Sequence, residues 1–372
     1  MMRWEIGTVK HVVKRWPDSE EVSVIMEGGE EALAFHDVQI QGPLEPGDKV
    51  LLNITAAELR LGSGGVHFVA ARLSRQEEMR RDSHVFEGHM MKMRYSPFQR
   101  AVLAAEEPNS PWHDRFTPHH RLENMPVLIG ELHSMLPAAL CWFRYKQRHS
   151  NPSIAYVMSD GGALPISFSR HVRTLKSLGW ISDTITYGHA YGGDVETINK
   201  FTALQAAKHI VGADLTIVMM GPGIAGTGTA FGHTSMETGE IVNAAYALGG
   251  SPVVIPRLSF HDRRQRHYGL SHHFLYAMTE AAIHPAVIPL PCFLPSDKQA
   301  YILDQIAAHP NLSKHRIHWV DGVTQEEVEK SLQLYPYPIT TMERSAKKDP
   351  YFFLAVAAAA EFVRCEYFGD DR

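Results

Sequence analysis

The chain has 372 residues, more than one domain usually holds, so two units that each bury a core are expected. Its net charge of −5 with histidines neutral gives no global attraction to nucleic acid or anionic lipid, so any basic site must be local. Three widely spaced cysteines, Cys141, Cys292 and Cys365, with no CxxC pattern, suggest neither a disulfide framework nor a cysteine zinc site and fit a reducing cytoplasm.

The opening "MMRWEIGTVKHVVKRW" lacks the apolar core of a signal peptide. Residues 1–78 alternate apolar and polar in short runs ("IGTVKHVV", "EVSVIM", "ALAFH", "DKVLLNI", "VHFVAAR") broken by "PD", "GG", "PGD" and "GSGG". That pattern predicts a small β-barrel of OB or SH3-like type. Such a barrel raises the question of oligonucleotides, but residues 1–75 carry eight Lys and Arg against eleven Asp and Glu, a net of −3. Phosphate neutralisation needs the opposite sign, so no nucleic-acid partner is expected. The segment Leu59–Phe68, with its flexible glycines, is the barrel's candidate for reaching over a second domain.

Residues 79–372 form the second predicted domain. "HMMKMRYS" and "RAVLAAEE" read as a strand pair, and "EEPNSPWHDRFTPHH" as a proline-rich loop. From Pro126 onward apolar runs ("PVLIGEL", "SIAYVM", "DTITYG", "LTIVMM", "PVVIPRLSF", "AVIPL", "RIHWV") alternate with helical segments, several ending at glycine. Strands this apolar are buried on both faces, which predicts an α/β fold with a mostly parallel, doubly wound sheet. An eight-stranded closed barrel is the competing arrangement. "YFFLAVAAAAEFVRC" is interrupted by Glu361 and reads as a buried helix, so no membrane association is expected.

Ligands of parallel sheets bind beyond the carboxyl ends of the strands. The residues that follow each apolar run are "GELHS", "SDGGALP", "GHAYGGD", "GPGIAGTGT", "SFHDRRQRH" and "PCFLPSD", whereas the opposite turns are plain connectors. One edge of the sheet is thereby marked as chemical.

The glycine-rich run suits an anion such as phosphate or carboxylate. Gly221, Gly223, Gly226 and Gly228 would expose backbone amides, and Thr227 and Thr229 add hydroxyls. Gly221, Gly223 and Gly226 satisfy GxGxxG, but the late position, Pro222 and the missing ribose-binding acid weaken a dinucleotide reading. A structural turn is the alternative. In "RLSFHDRRQRHYGLSHH", Arg257 and Arg263 would neutralise the anion, while Ser271 would cap a helix whose first turn holds His272 and His273. His261, Asp262 and His267 are candidates for acid and base work, as are Asp160 and Asp194 at two strand ends. A divalent metal, with His189, Asp194, His261 and Asp262 as candidate ligands, is a further possibility. Against these stand solvated arginines paired elsewhere and aspartates that only form turns.

Taken together, "GDKVLLNITAAELRLGSGGVHFV", "GHMMKMRYSPFQ", "GELHSMLP", "GPGIAGTGTAFG" and "RLSFHDRRQRHYGLSHH" resemble an uncharacterised bacterial family of about this length, classed as a domain of unknown function. The resemblance implies a bacterial, cytoplasmic protein and carries over no activity and no catalytic residue. The residues themselves favour an enzyme, transferase or hydrolase, acting on a small anionic metabolite, phosphorylated ones included. A non-catalytic metabolite sensor and a metal-dependent hydrolase are the alternatives, and homo-oligomers are compatible with each.

Overall fold

The alternating apolar residues of the first segment line the inside of a closed five-stranded barrel in the computed structural model, which describes residues 2–59, 65–73, 88–117, 119–146, 152–159 and 161–369. Its strands are β1 (Trp4–Arg15), β2 (Ser19–Met26), β3 (Glu31–Asp37), β4 (Lys49–Asn53) and β5 (His67–Arg72), with one-turn helices α1 (Val38–Gln41) and α2 (Thr55–Glu58) between them. The order is β1-β2-β3-β5-β4, and β3 and β5 pair in parallel through Ala34 and His67. This is the five-stranded closure of an OB-type barrel. Val9, Val22, Val24, Val50 and Leu52 fill it. Gly7 is needed where β1 crosses the interior, since a Cβ there would stand 2.8 Å from Leu52 Cδ1. Of the Leu59–Phe68 segment, residues 60–64 lie outside the described residues.

The chain divides into two compact units, Met1–Glu87 with Met93–Arg100, and Gly88–Lys92 with Ala101–Arg372. β6 (Met90–Lys92) and β7 (Arg100–Val102) make the expected short strand pair. Then follow β8 (Pro126–Gly130), α3 (Met135–Lys146), β9 (Ile154–Ser159), α4 (Arg170–Ser177), β10 (Thr184–Thr186), β11 (Val195–Glu196), α5 (Lys200–His209), β12 (Leu215–Met220), α6 (Met236–Ala247) and β13 (Ser251–Val254). After them come the ribbon strands β14 (Leu258–Ser259) and β15 (Gly269–Leu270), α7 (His272–Tyr276), β16 (Val287–Pro291), α8 (Ser296–Ala307), β17 (Arg316–Val320), α9 (Gln325–Leu332) and α10 (Pro350–Phe368).

Eight of these strands make one parallel sheet in the order β11-β10-β9-β12-β8-β13-β16-β17. It is open, with β11 and β17 at its edges, so the closed-barrel alternative falls. Every residue of β8, β9 and β12 is buried, as central strands covered on both faces must be. One core packs α3 and α10 on one face, and the other packs α5 and α6 on the opposite face. α10 carries the run Ala357–Ala360 into the first core. Glu361 in that apolar helix is satisfied, accepting from Trp142 Nε1 at 2.9 Å and Arg364 Nε at 2.8 Å. No helix among the described residues is long and apolar enough to cross a membrane.

Strand order fixes where a ligand can reach. The chain leaves β8 toward β9 through α3, and it passes from β12 to β13 through α6, with β8 between them. The two helices depart on opposite faces, which opens a crevice at the carboxyl end of β8, between β12 and β13.

Candidate functional site

The first residue beyond β8 is Glu131, and the third beyond β13 is Arg257; the crevice brings them into a buried ion pair, Arg257 Nη1 to Glu131 Oε1 at 3.0 Å. Both side chains are almost fully buried. Burial pushes the Glu131 carboxyl above its usual range, against the pull of Arg257. Such a pair contributes little net stability, yet removing one partner typically costs about 3–5 kcal/mol because the other charge is stranded.

Four histidines surround this pair. Arg257 Nη1 approaches His273 Nδ1 at 3.4 Å. His273 stacks on His233, with centroids 4.1 Å apart and planes 14° off parallel. His267 meets the edge of His273 at 4.9 Å, and His272 lies 5.0 Å from His267 and 4.4 Å from His273. One ring nitrogen from each of His267, His272 and His273 falls within 4.8 Å of the others. Ser271 is the predicted N-cap of α7, accepting from the His273 amide at 3.2 Å. The same hydroxyl meets His267 Nδ1 at 2.7 Å and thereby fixes that ring. The Nε2 atoms of His267 and His272 are buried and have no hydrogen-bond partner, unusual for interior polar atoms.

Burial depresses all three imidazoles, with Arg257 adding to the effect in each: His267 to about 3, His272 to about 4 and His273 to about 2. They are neutral at ordinary pH. A ring so reluctant to take a proton is a weak general base.

The glycine-rich loop behaves differently from a strand-to-helix turn. β12 ends at Met220 and α6 starts at Met236, and the intervening residues fold back on themselves. Thr227 N donates to Gly232 O at 2.8 Å, Thr234 N to Ala225 O at 2.9 Å, and Gly226 bridges His233. Thr227 Oγ1 donates to Gly232 O at 2.9 Å, and Thr229 Oγ1 accepts from Gly232 N at 3.1 Å. These hydroxyls hold the loop together, a correction to the picture of hydroxyls aimed at an anion. The glycines have distinct tasks. A Cβ on Gly221 would crowd Met158 Sδ at 3.0 Å, so that glycine serves packing, while Gly223 takes φ +119°. Gly226 lies against the histidines, where a Cβ would stand 2.9 Å from His273 Nε2. Gly228 faces the guanidinium of Arg266, 3.8 Å from the place a Cβ would take.

The loop between β14 and β15 flanks the cluster. Asp262 is held by Arg264 Nε and Nη2, at 2.9 and 2.8 Å, and by Arg344 Nη2 at 3.3 Å. Burial works to raise its carboxyl, but the bonds and charge of Arg264, with Arg344 behind, hold it well below the usual range. Asp262 thus anchors two arginines, and its low carboxyl range disfavours a role as proton carrier. Asp349, which sequence reading missed, is fully buried, accepts from Ser259 Oγ at 2.7 Å and Arg344 Nε at 3.0 Å, and turns its unpartnered Oδ1 toward His261 Nδ1 at 3.9 Å. His261 is half-exposed and stacks on Tyr351. Arg263 and Arg266 are exposed and make no ion pair among the described residues.

Two other expected residues stand apart. Asp194 precedes the edge strand β11, level with Thr184 at the start of β10, and so lies below the carboxyl edge. Lys176 pairs with it, and Thr184 donates to it through its amide at 2.8 Å and its hydroxyl at 2.7 Å. It braces the sheet edge; β9 and β12 separate β10 from β8, about 14 Å at ordinary strand spacing. His189 follows β10 at the same flank, so the ligand set His189, Asp194, His261 and Asp262 does not coincide with the converging nitrogens, which belong to His267, His272 and His273. Asp160 lies outside the described residues. His133, beyond β8, faces the other core: Nδ1 meets Met220 O at 3.2 Å, Nε2 meets Ser169 Oγ at 2.5 Å, and burial lowers the ring to about 3.

His233 and Glu131 were the members the sequence signalled least. The first lies at the end of the glycine run and the second beside a helix cap, and only the strand order places both against Arg257. No curated protein matches the chain. The family model for a protein of unknown function, DUF3866, matches residues 31–360, and the chain belongs to that family.

Proposed function

We propose that the chain is an enzyme of hydrolase type that acts on a small anionic metabolite at the carboxyl ends of β8, β12 and β13. The supporting observation is the guanidinium of Arg266, exposed, without an ion pair among the described residues, and beside Gly228 next to the histidine cluster. Arg257 and Arg264 act on both His267 and His272, and Arg266 acts on His272 as well. Arg257 and Arg264 are neutralised by Glu131 and Asp262, and of the two exposed arginines Arg263 and Arg266, Arg266 lies beside Gly228 and is the one assigned to take a phosphate or carboxylate. His261 is the group assigned to move a proton, because its exposed ring can reach substrate and the buried Asp349 carboxylate lies 3.9 Å from its Nδ1.

Thermal denaturation of the full chain with inorganic phosphate and a panel of phosphate monoesters tests the reading. A ligand at one hundred times its dissociation constant stabilises by about 2.7 kcal/mol. Arg266→Gln is expected to weaken that ligand by about tenfold or more. His261→Gln should leave binding intact and lower turnover by about a hundredfold. A shift unchanged in Arg266→Gln contradicts the assignment of that arginine, and binding with no turnover of any bound monoester marks a sensor instead of an enzyme.

A further inference from the structure

We propose that His267, His272 and His273 form a site for a divalent transition metal of the kind zinc represents. This deepens the reading above, which names the edge and the charge of the substrate but supplies no group strong enough to polarise it.

The geometry points to the metal in several independent ways. Three imidazole nitrogens lie within 4.8 Å of one another. Around a tetrahedral zinc the nitrogens would be about 3.4 Å apart, so closure asks for ring movements on the order of an ångström. His267 is 1% exposed, and its Nε2 has no partner; the same nitrogen of His272 has none either. Interior polar atoms left this way need an explanation, and a bound cation is one. The outer contacts of a ligand are already in place. The Ser271 hydroxyl at His267 Nδ1 orients that ring so that Nε2 is the atom left to bind, the arrangement metal-ligating histidines usually show. His273 is wedged between the ring of His233 and the glycine backbone at Gly226, which restricts its rotation.

The chemistry of the donors agrees. Neutral nitrogen donors without thiolate suit zinc and its neighbours better than calcium or magnesium, which take oxygen. Glu131 neutralises Arg257 and Asp262 neutralises Arg264, so that of the guanidiniums acting on these rings Arg266 alone has no ion pair among the described residues and opposes the cation. With three protein ligands a coordination position stays open for water or an anionic group of the substrate.

Cobalt(II) is the probe, because its visible absorption reports a low-coordinate nitrogen site directly. Full-length protein without a histidine tag, stripped with chelator and titrated with cobalt(II), is expected to develop d–d bands that saturate at about one ion per chain. His267→Ala and His272→Asn should each weaken cobalt by tenfold or more, and thermal unfolding checks that each variant is folded. His272 is only half-buried, so its variant keeps the test alive if His267→Ala fails to fold. Lys330→Gln, on α9 away from the cluster, should keep the bands. Bands in a protein that shows no phosphate binding leave the metal site standing and remove the anion reading. A folded wild-type chain with no cobalt bands, or bands unchanged in His272→Asn, overturns the metal site.

Discussion

At the residue scale, the site depends on one close approach. Gly226 is the point where the loop after β12 meets His273, and an added methyl there would overlap the imidazole at 2.9 Å. Gly226→Ala is expected to destabilise the fold by about 1–3 kcal/mol through overpacking and to weaken cobalt binding by displacing the ring. Denaturant unfolding and the cobalt titration check this, with Gly28→Ala as control, since Gly28 has open space around it. Equal behaviour of the two variants would mean that the loop does not position the histidine. Much at this scale was legible: Ser271 as cap, the gathering of His267, His272 and His273 in one segment, and the importance of glycine. The roles of Asp194 and Asp262 were not, because an aspartate beside glycine or arginine reads alike whether it meets substrate or a lysine from another helix. Lys176, which claims Asp194, lies 18 residues away in sequence, and Asp262 is shared between Arg264, two residues away, and Arg344, 82 residues away.

At the element scale, α7 is short and passes straight into a π-turn at Ala277–Ala281. Such turns often accompany functional helices because they rotate the preceding side chains. Here Asn243 of α6 donates through Nδ2 to Ala281 O at 2.9 Å, and its Oδ1 accepts from Ile283 N at 2.8 Å, satisfying groups the turn releases. Gly239 lets α6 lie against the same turn. The pattern "HHFLYAMTEAAI" reads as one regular helix, since periodicity cannot register a single wider turn. Histidines on successive elements also set an acid limit on the fold. His133, His171, His267, His272 and His273 are all lowered, chiefly by burial, to values between about 2 and about 4. An unfolded chain takes protons on these rings near pH 6.5, whereas the folded chain refuses them until much lower pH. Stability is therefore full above about pH 6.5 and falls as pH drops toward 4, by about 1 kcal/mol per pH unit for a fully buried ring such as His267 and less for the more open ones. Thermal unfolding of the metal-free chain across pH 4–8 should show this decline, and a midpoint flat over that interval would mean the rings are protonated in the fold.

At the scale of the whole molecule, the alternation of apolar strands and helices announced the parallel sheet, and the short alternating runs announced the barrel. Glycine, histidine and arginine gather after the strands, at the edge where β8, β12 and β13 end. Strand order was not legible, because insertion of β12 between β9 and β8 follows from how α3, α5 and α6 pack on the sheet, and no single segment encodes it. That order decides which polar ends meet: it joins the loops after β8, β12 and β13 and leaves Asp194 at the far flank. The proposed chemistry therefore has one location. Crystals of the untagged chain soaked in zinc and measured on both sides of the zinc absorption edge test it most directly. The prediction is an anomalous peak bounded by His267, His272 and His273; a fully soaked crystal with no peak there, or with its strongest peak at the Asp194 flank, would contradict it.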